Sequence, residues 1–184
     1  MRRASPLVLT ALLAALLLAT AGSATAGQPA RSILNVDYDL DQAGPGLATE
    51  NQLDLYLPSS TGTRGDRLRP VVVWVHGGAF MKGDKSNRMP NKVKLFNGLG
   101  YVVASVNYRL SPDISEGSCC EFDPARVRAP DHIHDVAEAI AWISQHIESH
   151  GGDPDRIVLI GHSAGAQLVS LAATSPAWVR GRQV

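Results

Sequence analysis

The sequence predicts an α/β fold, a mostly parallel β-sheet flanked by helices. Three observations carry that reading. Residues 71–75, 101–106 and 157–160 read as short buried strands, the first a continuous apolar run, as expected of strands covered on both faces. Segments of helical period lie between and after them. Two of the runs end directly in glycine-rich turns, one at Gly77-Gly78 and one at Gly161 and Gly165. The 184 residues show no internal repeat and suit one domain with a buried core.

The first 26 residues stand apart from that domain. Arg2 and Arg3 precede a 13-residue apolar run over 7–19, and small residues end in Ala24-Thr25-Ala26. This is the pattern of a secretory signal peptide cleaved near Ala26, which makes 27–184 the mature chain, secreted or periplasmic. The run falls short of the ~20 residues that span a bilayer, so no membrane span is expected. Basic and acidic residues number 17 each, which excludes a strong electrostatic grip on nucleic acid or an anionic membrane. The only cysteines are the neighbours Cys119 and Cys120. A strained vicinal disulfide, free thiols and pairing with sequence elsewhere all stay open.

Along the domain, Leu53, Leu55 and Leu57 alternate with Asp54 and Tyr56, a half-buried strand closed by Pro58. A loop over 58–70 leads to the strand at 71–75 and its turn, His76-Gly77-Gly78-Ala79-Phe80. A helix is expected over 90–99, with Pro90 in its first turn and Gly100 ending it. The strand at 101–106 and an irregular stretch at 111–130 follow. The next helix should run from Asp131, read as its N-cap, to about His150. Val136, Ala139, Ile140, Ile143 and Ile147 form its buried face. Gly151-Gly152 stop it, Asp153-Pro154 turn the chain, and 157–160 form the third buried strand. The last helix carries Leu168, Val169, Leu171 and Ala172.

The chemistry concentrates at two turns. Gly161-His162-Ser163-Ala164-Gly165 matches the Gly-x-Ser-x-Gly pattern of a nucleophile elbow. Such a pattern arises by chance in about one chain in ten of this length, but here it joins a buried strand to an apolar helix, as an elbow must. Ser163 is therefore the candidate nucleophile, against the plainer reading of a helix N-cap. The turn at His76–Ala79 sits where N–H donors to an oxyanion are expected, and its small side chains let the backbone face a substrate.

His76-Gly77-Gly78-Ala79-Phe80 with Gly83-Asp84-Lys85, the stretch 106–112 (Val-Asn-Tyr-Arg-Leu-Ser-Pro) and the stretch 152–157 (Gly-Asp-Pro-Asp-Arg-Ile) resemble one family. They are similar to the N-terminal part of α/β-hydrolases of the carboxylesterase and hormone-sensitive-lipase-like group, in particular feruloyl- and acetyl-esterase-like members. Kynurenine-formamidase-like enzymes are similar over much the same stretch. The resemblance implies an α/β-hydrolase fold and carboxylic ester hydrolysis without a cofactor. The substrate would be a small-molecule or polysaccharide-linked ester, with Ser163 as nucleophile and Gly78, Ala79 and Ala164 donating oxyanion N–H groups. Ala79 stands where many relatives have Gly.

In that family the acid and His of the triad follow the Ser. The 21 residues after Ser163 contain no Asp, Glu or His, so the chain reads as C-terminally incomplete and, alone, inactive. His162 should point away from the nucleophile. His132 and His134 lie about 200° apart on a helix, and His146 and His150 lack a third ligand, so no metal site is expected. The other polar groups around Asp131 read as solvated. Two further readings remain, a non-catalytic module on a hydrolase scaffold and a formamidase-like amide hydrolase.

Overall fold

A computed structural model of the chain describes residues 30–38, 50–59, 67–112, 127–175 and 177. The expected leader over 1–26 and Cys119 and Cys120 lie outside them. The strands are β1 (Arg31–Asp37), β2 (Gln52–Leu57), β3 (Arg69–Val75), β4 (Val102–Val106) and β5 (Gly152–Gly161). The helices are α1 (Met89–Gly98), α2 (Asp131–His146), continued by a 3₁₀ turn at Ile147–His150, and α3 (Ala164–Thr174).

The strands form one mixed sheet in the order β1-β2-β4-β3-β5. β4, β3 and β5 run parallel, while β1 and β2 extend the β4 side as antiparallel strands. Residues paired across the parallel strands share a face. Val71, Val73 and Val75 therefore side with Val102, Ala104 and Val106 in a core closed by α2 and α3. The predicted face of α2 packs into it, with Val136, Ala139, Ile143 and Ile147 fully buried. α1 covers the opposite face over β4 and β2. β3 thus has β4 on one side and β5 on the other, with crossover helices on opposite faces. That is a topological switch point, and a crevice opens outside the carboxyl ends of β3 and β5. Both glycine turns emerge there.

Four expectations change. β1 had no counterpart in the sequence reading. β5 begins at Gly152, so the Asp153-Pro154 turn is an irregularity within the strand, where the register jumps from Arg69↔Gly152 to Val71↔Ile157. β5 is also less covered than a strand enclosed on both faces, with Val158 45% exposed at the sheet edge among the described residues. Asp131 is the first residue of α2 rather than its N-cap, which is Pro130; its carboxylate accepts the Arg128 N–H at 2.9 Å.

Candidate active site

Ser163 sits between β5 and α3 with φ 52° and ψ −118°, a conformation that L-residues avoid. Its flanking glycines explain how the turn closes. A Cβ on Gly161 would strike the Gly165 carbonyl, and one on Gly165 would strike the carbonyls of Val75 and His76. The first contact compresses the elbow, and the second seats α3 on the end of β3. Ser163 occupies the N-cap position, yet its hydroxyl makes no capping hydrogen bond and the residue is exposed. The plain capping reading is thereby removed. In the first turn of α3, Gly165 N–H donates to His162 O, and Ala166 and Gln167 N–H donate to Ser163 O. Ala164 N–H is the donor left over at the positive end of the helix.

The second turn lies against the first. His162 N–H donates to Val75 O at 3.2 Å, and a Cβ on Gly77 would come within 3.0 Å of Ser163 Cβ. Gly78, Ala79 and Phe80 follow at φ 136°, 53° and 64°, three successive residues in positive-φ backbone. Gly78 O accepts the N–H groups of Met81 and Lys82, which folds this segment back on itself. Ser163, Ala79 and Gly78 all line one groove, so the predicted nucleophile and two of its predicted donors come together.

Buried polar contacts hold the strained turn. His76 stacks on Tyr108 with centroids 4.5 Å apart, and the Tyr108 hydroxyl donates to His76 O at 3.1 Å. Burial pushes the Tyr108 phenol up to about 12, so it stays a donor. His76 Nδ1 lies 2.9 Å from Gly77 O; a carbonyl can only accept, so Nδ1 carries the proton. Nε2 is then buried without a partner, and burial holds this imidazole below the usual histidine range. Downstream, Ser111 N–H donates to Phe80 O at 2.8 Å, and Ser111 Oγ is 3.0 Å from His132 Nε2. His132 is buried against Phe80 rather than solvated, and burial lowers its pKa as well. Asp135 is buried too, gripping the Arg109 side chain at 2.6–3.0 Å and accepting its backbone N–H at 2.9 Å.

Gly83-Asp84-Lys85 forms the outer anchor. A Cβ on Gly83 would strike the His76 ring. Lys85 turns inward, its ammonium 3.0 Å from Asp54 and 2.7 Å from Asn35 Oδ1. Burial would raise the Asp84 carboxyl. Hydrogen bonds from Ser86 and Asn107 and the nearby Lys85 charge outweigh that and hold it below the usual range.

No imidazole among the described residues forms a hydrogen bond with Ser163 Oγ. His146 and His150 stack on Trp142, and the described residues hold no cluster of three metal-ligating side chains. No helix among them is long and apolar enough to cross a membrane.

The model of one protein family, BD-FAE, matches residues 53–179. Esterase LipQ of Mycobacterium tuberculosis is 38% identical over 133 residues, 72% of this chain and 28% of LipQ. Acetylcholinesterase-1 of Trittame loki is 31% identical over 83% of this chain and 27% of its own length. Among solved structures, Esterase B from Lactobacillus rhamnosis superposes with a TM-score of 0.58 at 27% identity, covering 78% of this chain and 39% of that one. The chain spans about a quarter of the length of the curated relatives it matches. The solved esterases share the α/β-hydrolase fold described above.

Proposed function

This chain belongs to the BD-FAE family, and from that premise we propose that it carries the nucleophile and oxyanion donors of a serine-dependent carboxylic ester hydrolase. The observation that carries the reading is the strained Ser163 backbone, held by two glycines that no larger residue can replace. Nothing in the packing rewards that strain, whereas a nucleophile elbow uses it to lift the hydroxyl clear.

In this reading Ser163 Oγ attacks the ester carbonyl carbon as a base takes its proton. The carbonyl oxygen becomes an oxyanion that accepts N–H bonds from Ala164 and from the Gly78-Ala79 turn. Collapse expels the alcohol, and water then cleaves the acyl-enzyme to free the acid and restore Ser163. No imidazole of this chain is placed to be the base, so the 184-residue chain by itself is a slow catalyst. That same observation favours a second reading, a non-catalytic binding module. The predicted leader supports export in either reading, and N-terminal sequencing of exported material should begin near Gly27.

A fluorophosphonate probe separates the two readings. It should label the wild-type chain at Ser163, and Ser163→Ala should abolish labelling. Equal labelling of wild type and variant would remove Ser163 from the mechanism.

A further inference from the structure

We propose that the groove beside Ser163 is an anion subsite, so that the ester favoured here carries a carboxylate on that side of its scissile bond. The inference rests on the ester-hydrolase reading and adds the charge of the substrate. Between His76 and Gly98 the chain has five Lys and Arg residues and one acid, Asp84. The fold sorts these charges. Lys85 points inward and is neutralised by Asp54. Asp84 is held by Ser86 N–H at 2.7 Å and by the Asn107 amide at 3.1 Å, and it does not line the groove.

What reaches the groove is positive. It measures about 800 Å³ and is lined by Ser163, the Gly78-Ala79 turn, Lys82, Arg88 and Lys92, and no Asp or Glu among the described residues lines it. Lys82 and Arg88 are exposed, and neither forms an ion pair among the described residues. Lys92 is fixed in place, its ammonium 4.4 Å from the Trp74 ring centre and 3.0 Å from the carbonyls of Asn87 and Arg88. Its pKa is lowered first by burial and then by the Arg88 charge. A concave wall lined by one sign of charge concentrates counter-ions of the other.

The second cavity makes the contrast. It holds about 360 Å³, shares Ala79 with the groove and is mainly apolar, lined by Phe80, Met81, Ile133, Leu168 and Leu171, with Arg128 the one Lys or Arg among the described residues that line it. A carbonyl seated at Ala79 therefore borders a mainly apolar cavity and a groove lined by three cationic side chains. Polarity alone would not distinguish a neutral sugar from a sugar acid; the uncompensated cations do.

The test is equilibrium binding of 4-acetoxybenzoate and of its methyl ester to the full chain carrying Ser163→Ala, read by ligand-observed NMR. At about 20 mM salt the carboxylate should bind about fivefold tighter than the methyl ester, as two partly exposed charge pairs would give. That advantage should vanish in Lys82→Gln/Arg88→Gln and fade in the parent chain at about 0.5 M salt. Equal binding of the two ligands at low salt, or an advantage that survives the double substitution, would overturn the proposal. Fluorophosphonate labelling of the chain with Ser163 intact uses a neutral probe, so it reports on the nucleophile independently of the subsite.

Discussion

Ser163 keeps its φ of 52° only because Gly161 and Gly165 let three backbone segments meet. Gly165→Ala would drive a methyl group into the carbonyls at the end of β3, and contacts of that kind typically cost about 1–3 kcal/mol. We expect a lower melting temperature together with loss of fluorophosphonate labelling, because the N–H donors move with α3. His76 and His132 act at the same scale. Burial holds both below the unfolded histidine value, so the folded state binds fewer protons than the unfolded state just below that value. Their contribution to stability is complete above about pH 6.5 and is lost as pH falls through that value toward the folded pKa. Thermal melts should show a loss between about pH 7.5 and 5.5, and His132→Gln should reduce it. An unchanged pH dependence in the variant would show that His132 titrates freely. Ser163 as candidate nucleophile was legible as a residue type at fixed spacing, and its proposed donors came from the family resemblance. The roles of His132 and Asp135 were not, because their partners Ser111 and Arg109 lie 21 and 26 residues away in sequence.

Among the elements, the segment from β3 to α1 depends on one buried charge pair. The side chains of Lys85 and Asp54 are 9% and 4% exposed, and Asp54 also accepts the Asn35 N–H at 2.9 Å. Removing either partner leaves a buried charge unmatched, at a cost of about 3–5 kcal/mol. Lys85→Met and Asp54→Leu should each destabilise the chain strongly, and the double variant should cost much less than the sum. Additive losses in urea melts would mean that the two groups act independently. The element pattern itself was readable wherever a strand is enclosed. Residues 71–75 are apolar without interruption, and 102–106 are apolar but for the buried Ser105, because sheet neighbours and helices cover them. β1 escaped because it is an edge strand. Most of its side chains are exposed, and Asn35 at φ 58° breaks the alternation where the register shifts between Ile33 and Val36. The start of α2 was misplaced by one residue, since Asp131 bonds back to Arg128 N–H from inside the helix.

At the scale of the whole molecule, the proposed nucleophile and donors come together with no imidazole hydrogen-bonded to Ser163 Oγ among the described residues. The chain has six histidines, all among the described residues, and each is accounted for without Ser163. His76 and His132 are buried beside the Gly77–Phe80 turn, and His146 and His150 stack on Trp142. His134 is held on α2, and the His162 ring lies over Gly77 with Nδ1 2.8 Å from where a Cβ would be. A Ser hydroxyl without an imidazole loses about 10⁴-fold or more in rate, while oxyanion donors and binding retain about 10³-fold over water. The purified chain should therefore turn over p-nitrophenyl acetate far below about 1 s⁻¹, the low end of ordinary enzymes. The sheet leads to a linked expectation. β5 carries the elbow at the sheet edge among the described residues, with Val158 45% exposed, and an uncovered apolar edge strand is a template for pairing. Size exclusion should show self-association that Val158→Lys reduces, with no gain in turnover. A monodisperse wild-type monomer turning over at about 1 s⁻¹ or faster would overturn both expectations and require one of these six imidazoles to swing onto Ser163.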